Sequence, residues 1–174
     1  EGMSSVLAIM DKEIRRPLEM WLKKHKVTVH TDSLARGVEI KGRGASKKAE
    51  LTFEKDGTEH KVKVDKVLVT VGRKPNTKGW GLENTGVRMD GSGRFIRTDR
   101  QCRTSIPGVY AIGDVSGEPM LAHKASAEGE MVAEIIAGHK REFDKMAIPA
   151  IVFTEPEIVS VGLTPDEAKE RGEE

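Results

Sequence analysis

The chain has 174 residues, 37% hydrophobic and 33% charged, with a formal net charge of +1. That length is enough for one ordinary domain and too short for most multi-domain enzymes. The near-neutral balance gives no electrostatic case for nucleic acid. No apolar run approaches the roughly 20 residues that a bilayer span needs, so no membrane partner is expected.

From the N-terminus, Ile14, Leu18, Trp21 and Leu22 form an apolar stripe of helical period. Residues 11–25 therefore read as an amphipathic helix. Asp11 is the candidate N-cap, and Pro17 either bends the helix or starts its regular part. Val27 and Val29 alternate with polar residues, as do Val38 and Ile40, which predicts short strands. Residues 42–48 are rich in Gly, Lys and Ser and read as an exposed loop. Asp56-Gly57 is a strong hairpin signal, setting Leu51 and Phe53 opposite Val62 and Val64. Lys66 to Val71 read as a strand buried on both faces. It runs into Thr70-Val-Gly-Arg-Lys-Pro-Asn-Thr77, which sets Gly72 at a strand tip.

A connection with a small hairpin follows, Val87 and Met89 before Gly91-Ser92-Gly93, Phe95 and Ile96 after it. Cys102 is the lone cysteine; it excludes an internal disulfide or redox pair and reads as a packed thiol. Next comes Ser105-Ile-Pro-Gly-Val-Tyr-Ala-Ile-Gly-Asp114. Here an apolar strand, Val109 to Ile112, ends in a residue without a Cβ and then a carboxylate. In open α/β sheets ligands bind at the carboxyl ends of strands. Asp114 is thus a candidate acceptor for ligand hydroxyls, and Gly113 admits close approach to the backbone. Taken alone, Gly-Asp more often marks a buried strand ending in a turn. Ala125, Gly129, Val132 and Ile136 recur at helical spacing, and Gly138 is a natural stop. Unpaired N–H groups at the start of this helix carry partial positive charge. His123 in isolation also fits a packed or solvated histidine. The five histidines show no ligand spacing, so no metal is expected. Residues 148–157 open another unit, and Thr164 with Glu167 has capping-box spacing for a helix near Pro165.

The 105–114 segment resembles the second FAD fingerprint of the flavoprotein pyridine nucleotide-disulfide oxidoreductases. The run Pro119-Met-Leu-Ala-His-Lys-Ala125 is similar to the dihydrolipoamide dehydrogenase branch in particular. Gly72-Arg-Lys-Pro-Asn76 resembles the segment that leaves the NAD domain in that family. As a lone motif it is more often a turn than a site. The resemblance covers essentially the whole chain and implies an α/β fold. It comprises partial FAD- and NAD-binding Rossmann-like, three-layer domains, plus the start of an α+β dimerisation domain. The implied segments are 1–78 for the NAD-binding part, 79–147 for the FAD-binding part and 148–174 for the dimerisation part.

The resemblance further implies that Asp114, beside Gly113, holds the ribityl chain of FAD. Met120, Leu121, Ala122 and His123 line the flavin through backbone groups. Gly72, Glu1 and Ala35 border NAD, Glu1 standing where the family carries a ribose-binding acid. No residue is assigned a catalytic role. The family's redox cysteine pair and its catalytic histidine have no counterpart here, so the chain reads as an internal piece of a longer enzyme. The implied reaction is electron transfer from dihydrolipoamide through a disulfide and FAD to NAD. The implied assembly is a cytoplasmic homodimer serving the lipoyl-bearing acyltransferase of 2-oxoacid dehydrogenase complexes. The piece alone is expected to be inactive and to hold little flavin. Two alternatives stay open. One is another reductase of the family, of mercuric reductase or transhydrogenase type. The other is a non-catalytic, self-associating module with a degenerate nucleotide fold.

Overall fold

A computed structural model describes residues 1–144 and 147–173, the side chain of Ala45 excepted. Lys145, Met146 and Glu174, which fall in the second and third expected segments, lie outside the described residues. The chain divides into two units. One comprises Glu1–Thr70 with Pro149–Glu174, the other Val71–Ile148.

In the first unit, α1 spans Lys12–Lys24. The Asp11 carboxylate caps it by accepting from the Glu13 N–H at 2.7 Å, and Lys23 and Lys24 complement the dipole of its last turn. Pro17 lies inside the helix. The apolar stripe buries Leu18, and Met10 and Ile158 pack around it with Ile14, Leu22, Ala150 and Val152 at the margin. Ala150 and Val152 belong to β4 (Ala150–Val152), Ile158 to β5 (Ile158–Ser160), and the two pair antiparallel. The helix α3, Pro165–Glu170, starts with the expected capping box at Thr164 and Glu167.

The same unit holds an antiparallel three-stranded sheet in the order β1 (Ser33–Lys41), β2 (Lys48–Lys55) and β3 (Thr58–Val64). Asp56 and Gly57 both take positive φ, 52° and 72°, as a two-residue turn matching strand twist requires. The register sets Leu51 opposite Val62, as the sequence predicts, but Phe53 opposite His60 and Ala49 opposite Val64. The two-residue turn imposes this, because Lys55 pairs with Thr58 and every later pair follows. Phe53 is buried between the rings of His30 and His60, at 4.7 and 5.2 Å.

Two expected strands are absent. Residues 27–30 make no ladder, and neither do residues 66–71. Leu68 and Val71 are 87% and 91% exposed rather than buried. Among the described residues no strand pairs with that run, so its β-branched side chains have no sheet to enter. The expected exposed loop at 42–48 holds one turn of 3-10 helix, Gly44–Ser46.

The second unit has its own apolar clusters. Leu82, Ile96 and Ala111 form one, edged by Val87, Met89 and Val115. Cys102, Met131, Val132 and Ile135 form the other, edged by Tyr110 and Phe143. The Cys102 thiol is thus packed, as expected. The small hairpin reduces to one bridge between Met89 and Ile96, tied by the Asp90 carboxylate, which accepts from Ser92 Oγ and from the N–H groups of Arg94 and Phe95. The helix α2 spans Ala122–Ile136, and Gly138 follows it at φ 96°.

Candidate functional site

Residues 109–112 form an extended stretch with a single bridge, Arg103 to Tyr110, where a full strand was expected. Two backbone bonds hold it, Ala111 N–H to Cys102 O and Thr104 N–H to Val109 O, each at 3.0 Å. With one side paired, no regular ladder forms. The chain then enters a short 3-10 turn, Gly113–Ser116. Gly113 takes φ 73°, a region L-residues with a Cβ rarely occupy. A Cβ there would also lie 3.1 Å from the Ala125 Cβ of α2. What approaches Gly113 is therefore the helix. Similarly, a Cβ at Gly129 would lie 3.4 Å from Ile112 Cδ1. These small residues let α2 pack closely, Ala125 against Gly113 and Gly129 against the Ile112 side chain.

The buried face of α2 differs from the expected stripe. Ile136 is 69% exposed, whereas Lys124, Glu128, Met131, Val132 and Ile135 are buried. The reason is chemical. The turn presents backbone groups that no ladder satisfies, and the helix meets them with charged side chains. The Glu128 carboxylate accepts from Gly113 N–H at 2.7 Å and lies 3.2 Å from Ser116 Oγ, whose proton goes to Gly113 O at 2.8 Å. The Lys124 ammonium donates to Gly113 O, Ser116 Oγ and Gly117 O, each at 3.1 Å. The two charges pair at 3.1 Å with side chains 0% and 2% exposed. Breaking such a buried pair by removing one partner costs about 3–5 kcal/mol, because a lone charge stays behind. Sequence reasoning missed this network. Its only signal was a Lys and a Glu four apart on a helix, a spacing that usually marks a solvated pair.

Asp114 follows directly on this clamped glycine. Its side chain is 40% exposed, and its carboxylate lies 3.8 Å from the Arg73 guanidinium. Arg73 was also not singled out from the sequence. Met120 and Leu121 are half-buried, while Ala122 and His123 are exposed. Leu121 is the N-cap of α2 and supplies no side-chain cap. Asp114, Gly113 and the first turn of α2 thus meet at one corner. In the same unit Gly72 takes φ 119°, in an exposed stretch rather than at a strand tip. In the first unit Glu1 and Ala35 line one cavity of about 410 Å³, together with His30, Ser33 and Phe53. The Glu1 carboxylate accepts from the Met3 N–H at 2.9 Å. Among the described residues no cluster of three or more His, Cys, Asp or Glu forms a metal-binding set. Among them, too, no helix is long and apolar enough to cross a membrane.

The sequence profile described as pyridine nucleotide-disulphide oxidoreductase matches residues 1–129. The chain is 47% identical over 173 residues to a dihydrolipoyl dehydrogenase of Bacillus subtilis, covering 99% of this chain and 36% of that protein. It is 44% identical over 172 residues to the dihydrolipoyl dehydrogenase of Pseudomonas aeruginosa, covering 99% of this chain and 35% of that one. Among solved structures, that of LpdA from Mycobacterium tuberculosis superposes with a TM-score of 0.84 at 30% identity, over 98% of this chain and 36% of that one. The chain therefore spans about a third of the length of the relatives it matches, and it shares the α/β fold of the solved one.

Proposed function

The chain belongs to the pyridine nucleotide-disulphide oxidoreductase family, and from that premise we propose that the intact protein is a dihydrolipoyl dehydrogenase. It reoxidises dihydrolipoamide with NAD, using FAD and a redox-active disulfide. The names carried by the matched relatives favour this over a mercuric reductase or transhydrogenase. It works as a cytoplasmic homodimer and serves the lipoyl-bearing acyltransferase of a 2-oxoacid dehydrogenase complex. The isolated 174-residue chain is inactive.

The observation that carries the reading is the Asp114 corner. A carboxylate stands partly exposed beside a backbone turn that is itself held rigid from beneath. Its nearest charged group is at 3.8 Å, beyond hydrogen-bond distance, so both oxygens have acceptor capacity for sugar-alcohol hydroxyls. The adjacent helix start has no side-chain cap, and the N–H groups of Ala122 and Lys124 have no intrahelical acceptor. That donor set suits an electron-rich ring edge, so the residues present fit FAD. When bound, FAD and NAD supply the hydride chemistry, and the protein supplies positioning and electrostatics. Asp114 orients the ribityl chain. The backbone of Met120, Leu121, Ala122 and His123 supports the flavin, and the helix dipole stabilises negative charge there. Glu1 and Ala35 border NAD, and Gly72 is separately an NAD-bordering residue.

The test is Asp114→Ala in the intact protein, with FAD affinity measured by titrating apoprotein and following flavin fluorescence. Loss of a hydrogen bond to a charged acceptor predicts about 10- to 100-fold weaker binding. An unchanged dissociation constant would refute the assignment of this corner to FAD.

A further inference from the structure

We propose that Lys124 and Glu128 are positioning residues of the flavin corner. Their buried ion pair clamps both peptide planes flanking Gly113 and so fixes the direction of the Asp114 carboxylate. This rests on the reading of Asp114 given above.

The argument follows the peptide groups. The N–H of Gly113 belongs to the Ile112–Gly113 peptide, and Glu128 takes it at 2.7 Å. The carbonyl of Gly113 belongs to the Gly113–Asp114 peptide. Lys124 Nζ donates to it at 3.1 Å and Ser116 Oγ at 2.8 Å. One peptide plane is thus held by an anion and the next by a cation. The only residue between them is a glycine, whose own torsions resist rotation least. Without the clamp, that glycine is the point about which Asp114 swings. Lys124 also donates to Gly117 O at 3.1 Å, so the far end of the turn is tied to the same ammonium.

Satisfying the buried groups of Gly113 stabilises the turn, and the same bonds also set its direction. An apolar pair of similar volume often folds as well as a buried ion pair, or better. What an apolar pair cannot do is hold a particular N–H and a particular carbonyl. The two side chains do not reach the flavin corner themselves, since both are fully covered. They act through the turn.

The experiment uses the intact flavoprotein. The double variant Lys124→Met/Glu128→Leu removes both charges together and leaves neither one orphaned. It leaves the Gly113 N–H without its acceptor, so its thermal unfolding is expected to fall by a few degrees, while its FAD dissociation constant rises about 10- to 100-fold, the range typical when a partner that orients a ligand-holding group is lost. Adding Asp114→Ala to it should weaken FAD by no more than about twofold further, because both changes remove the same interaction and their effects do not add. Should the apolar pair fail to fold, Ser116→Ala carries the same cycle with Asp114→Ala, since Ser116 is the third member of the clamp. Unchanged FAD affinity in the apolar-pair variant, or effects fully additive with Asp114→Ala, would overturn the proposal. A lone Asp114→Ala variant that binds FAD normally would instead overturn the assignment of the corner itself.

Discussion

Replacing Gly113 by alanine separates two costs that the structure sets at different positions. The first is conformational. At φ 73° an alanine pays about 1–2 kcal/mol for the left-handed region. The second is steric. The new Cβ would sit 3.1 Å from the Ala125 Cβ, so α2 must give by a few tenths of an ångström. The helix is poorly placed to move, because Lys124 and Glu128 tie it to the same turn. Overpacking of this kind adds about 1–3 kcal/mol. Gly108 supplies the control, with φ 75° and nothing within 4 Å of its added Cβ. Gly108→Ala should therefore carry the conformational cost alone. Ala125→Gly removes the clashing partner, at about 1 kcal/mol of helix propensity. In the double variant Gly113→Ala/Ala125→Gly the two losses should fail to add by about 1–3 kcal/mol. Urea unfolding of the intact protein, followed by far-UV circular dichroism, would give the order of the apparent midpoints. Equal midpoints for Gly113→Ala and Gly108→Ala would refute the claim that α2 presses on this turn.

Leu18→Ala should cost about 2–5 kcal/mol, since it opens a cavity among Met10, Ile14, Leu22 and Ile158. The exposed Met20→Ala on the same helix should stay within about 0.5 kcal/mol, and denaturant midpoints compare them. At α3, the Thr164 backbone N–H and then the Thr164 hydroxyl hold the Glu167 carboxyl below its ordinary pKa. A depressed folded value makes the cap's contribution complete above the unfolded pKa and lost as pH falls through the folded one. The amide protection factors of α3, which divide out the intrinsic pH dependence of exchange, should therefore fall on acidification through that window, and Thr164→Ala should flatten the dependence. Protection factors in the parent that do not change with pH would count against the cap.

The parts of the fold legible in sequence were those whose cause is local. The α1 stripe and its Asp11 cap, the Asp56-Gly57 turn and the Thr164–Glu167 box each depend on residues within a few positions of one another. The failures share a different cause. Val27–Val29 and Lys66–Val71 have strand-like composition, but a strand exists only where a neighbour accepts its hydrogen bonds. None does so among the described residues. The Phe53 pairing failed for a related reason, since register is counted outward from the turn rather than read from apolar identity.

The candidate site shows a subtler limit. Asp114 and the 119–125 run stood out because glycine, aspartate and proline punctuate an otherwise apolar sequence. What supports them did not, because the support is made of lysine and glutamate. Their Lys-x-x-x-Glu spacing commonly belongs to a helix face in water. Burial is decided here by the other side of the contact. A chain that leaves its extended path at Gly113 turns an N–H and a carbonyl toward α2, and buried backbone groups require partners. Apolar side chains at 124 and 128 would leave the N–H unsatisfied and the carbonyl with Ser116 Oγ alone. A single charged side chain would serve one sign of dipole and not the other. An N–H and a carbonyl facing the same helix require an acceptor and a donor one turn apart, and each charge lowers the cost of burying its neighbour. The turn therefore selects the pair. This charge pattern becomes legible only when the backbone it faces is known.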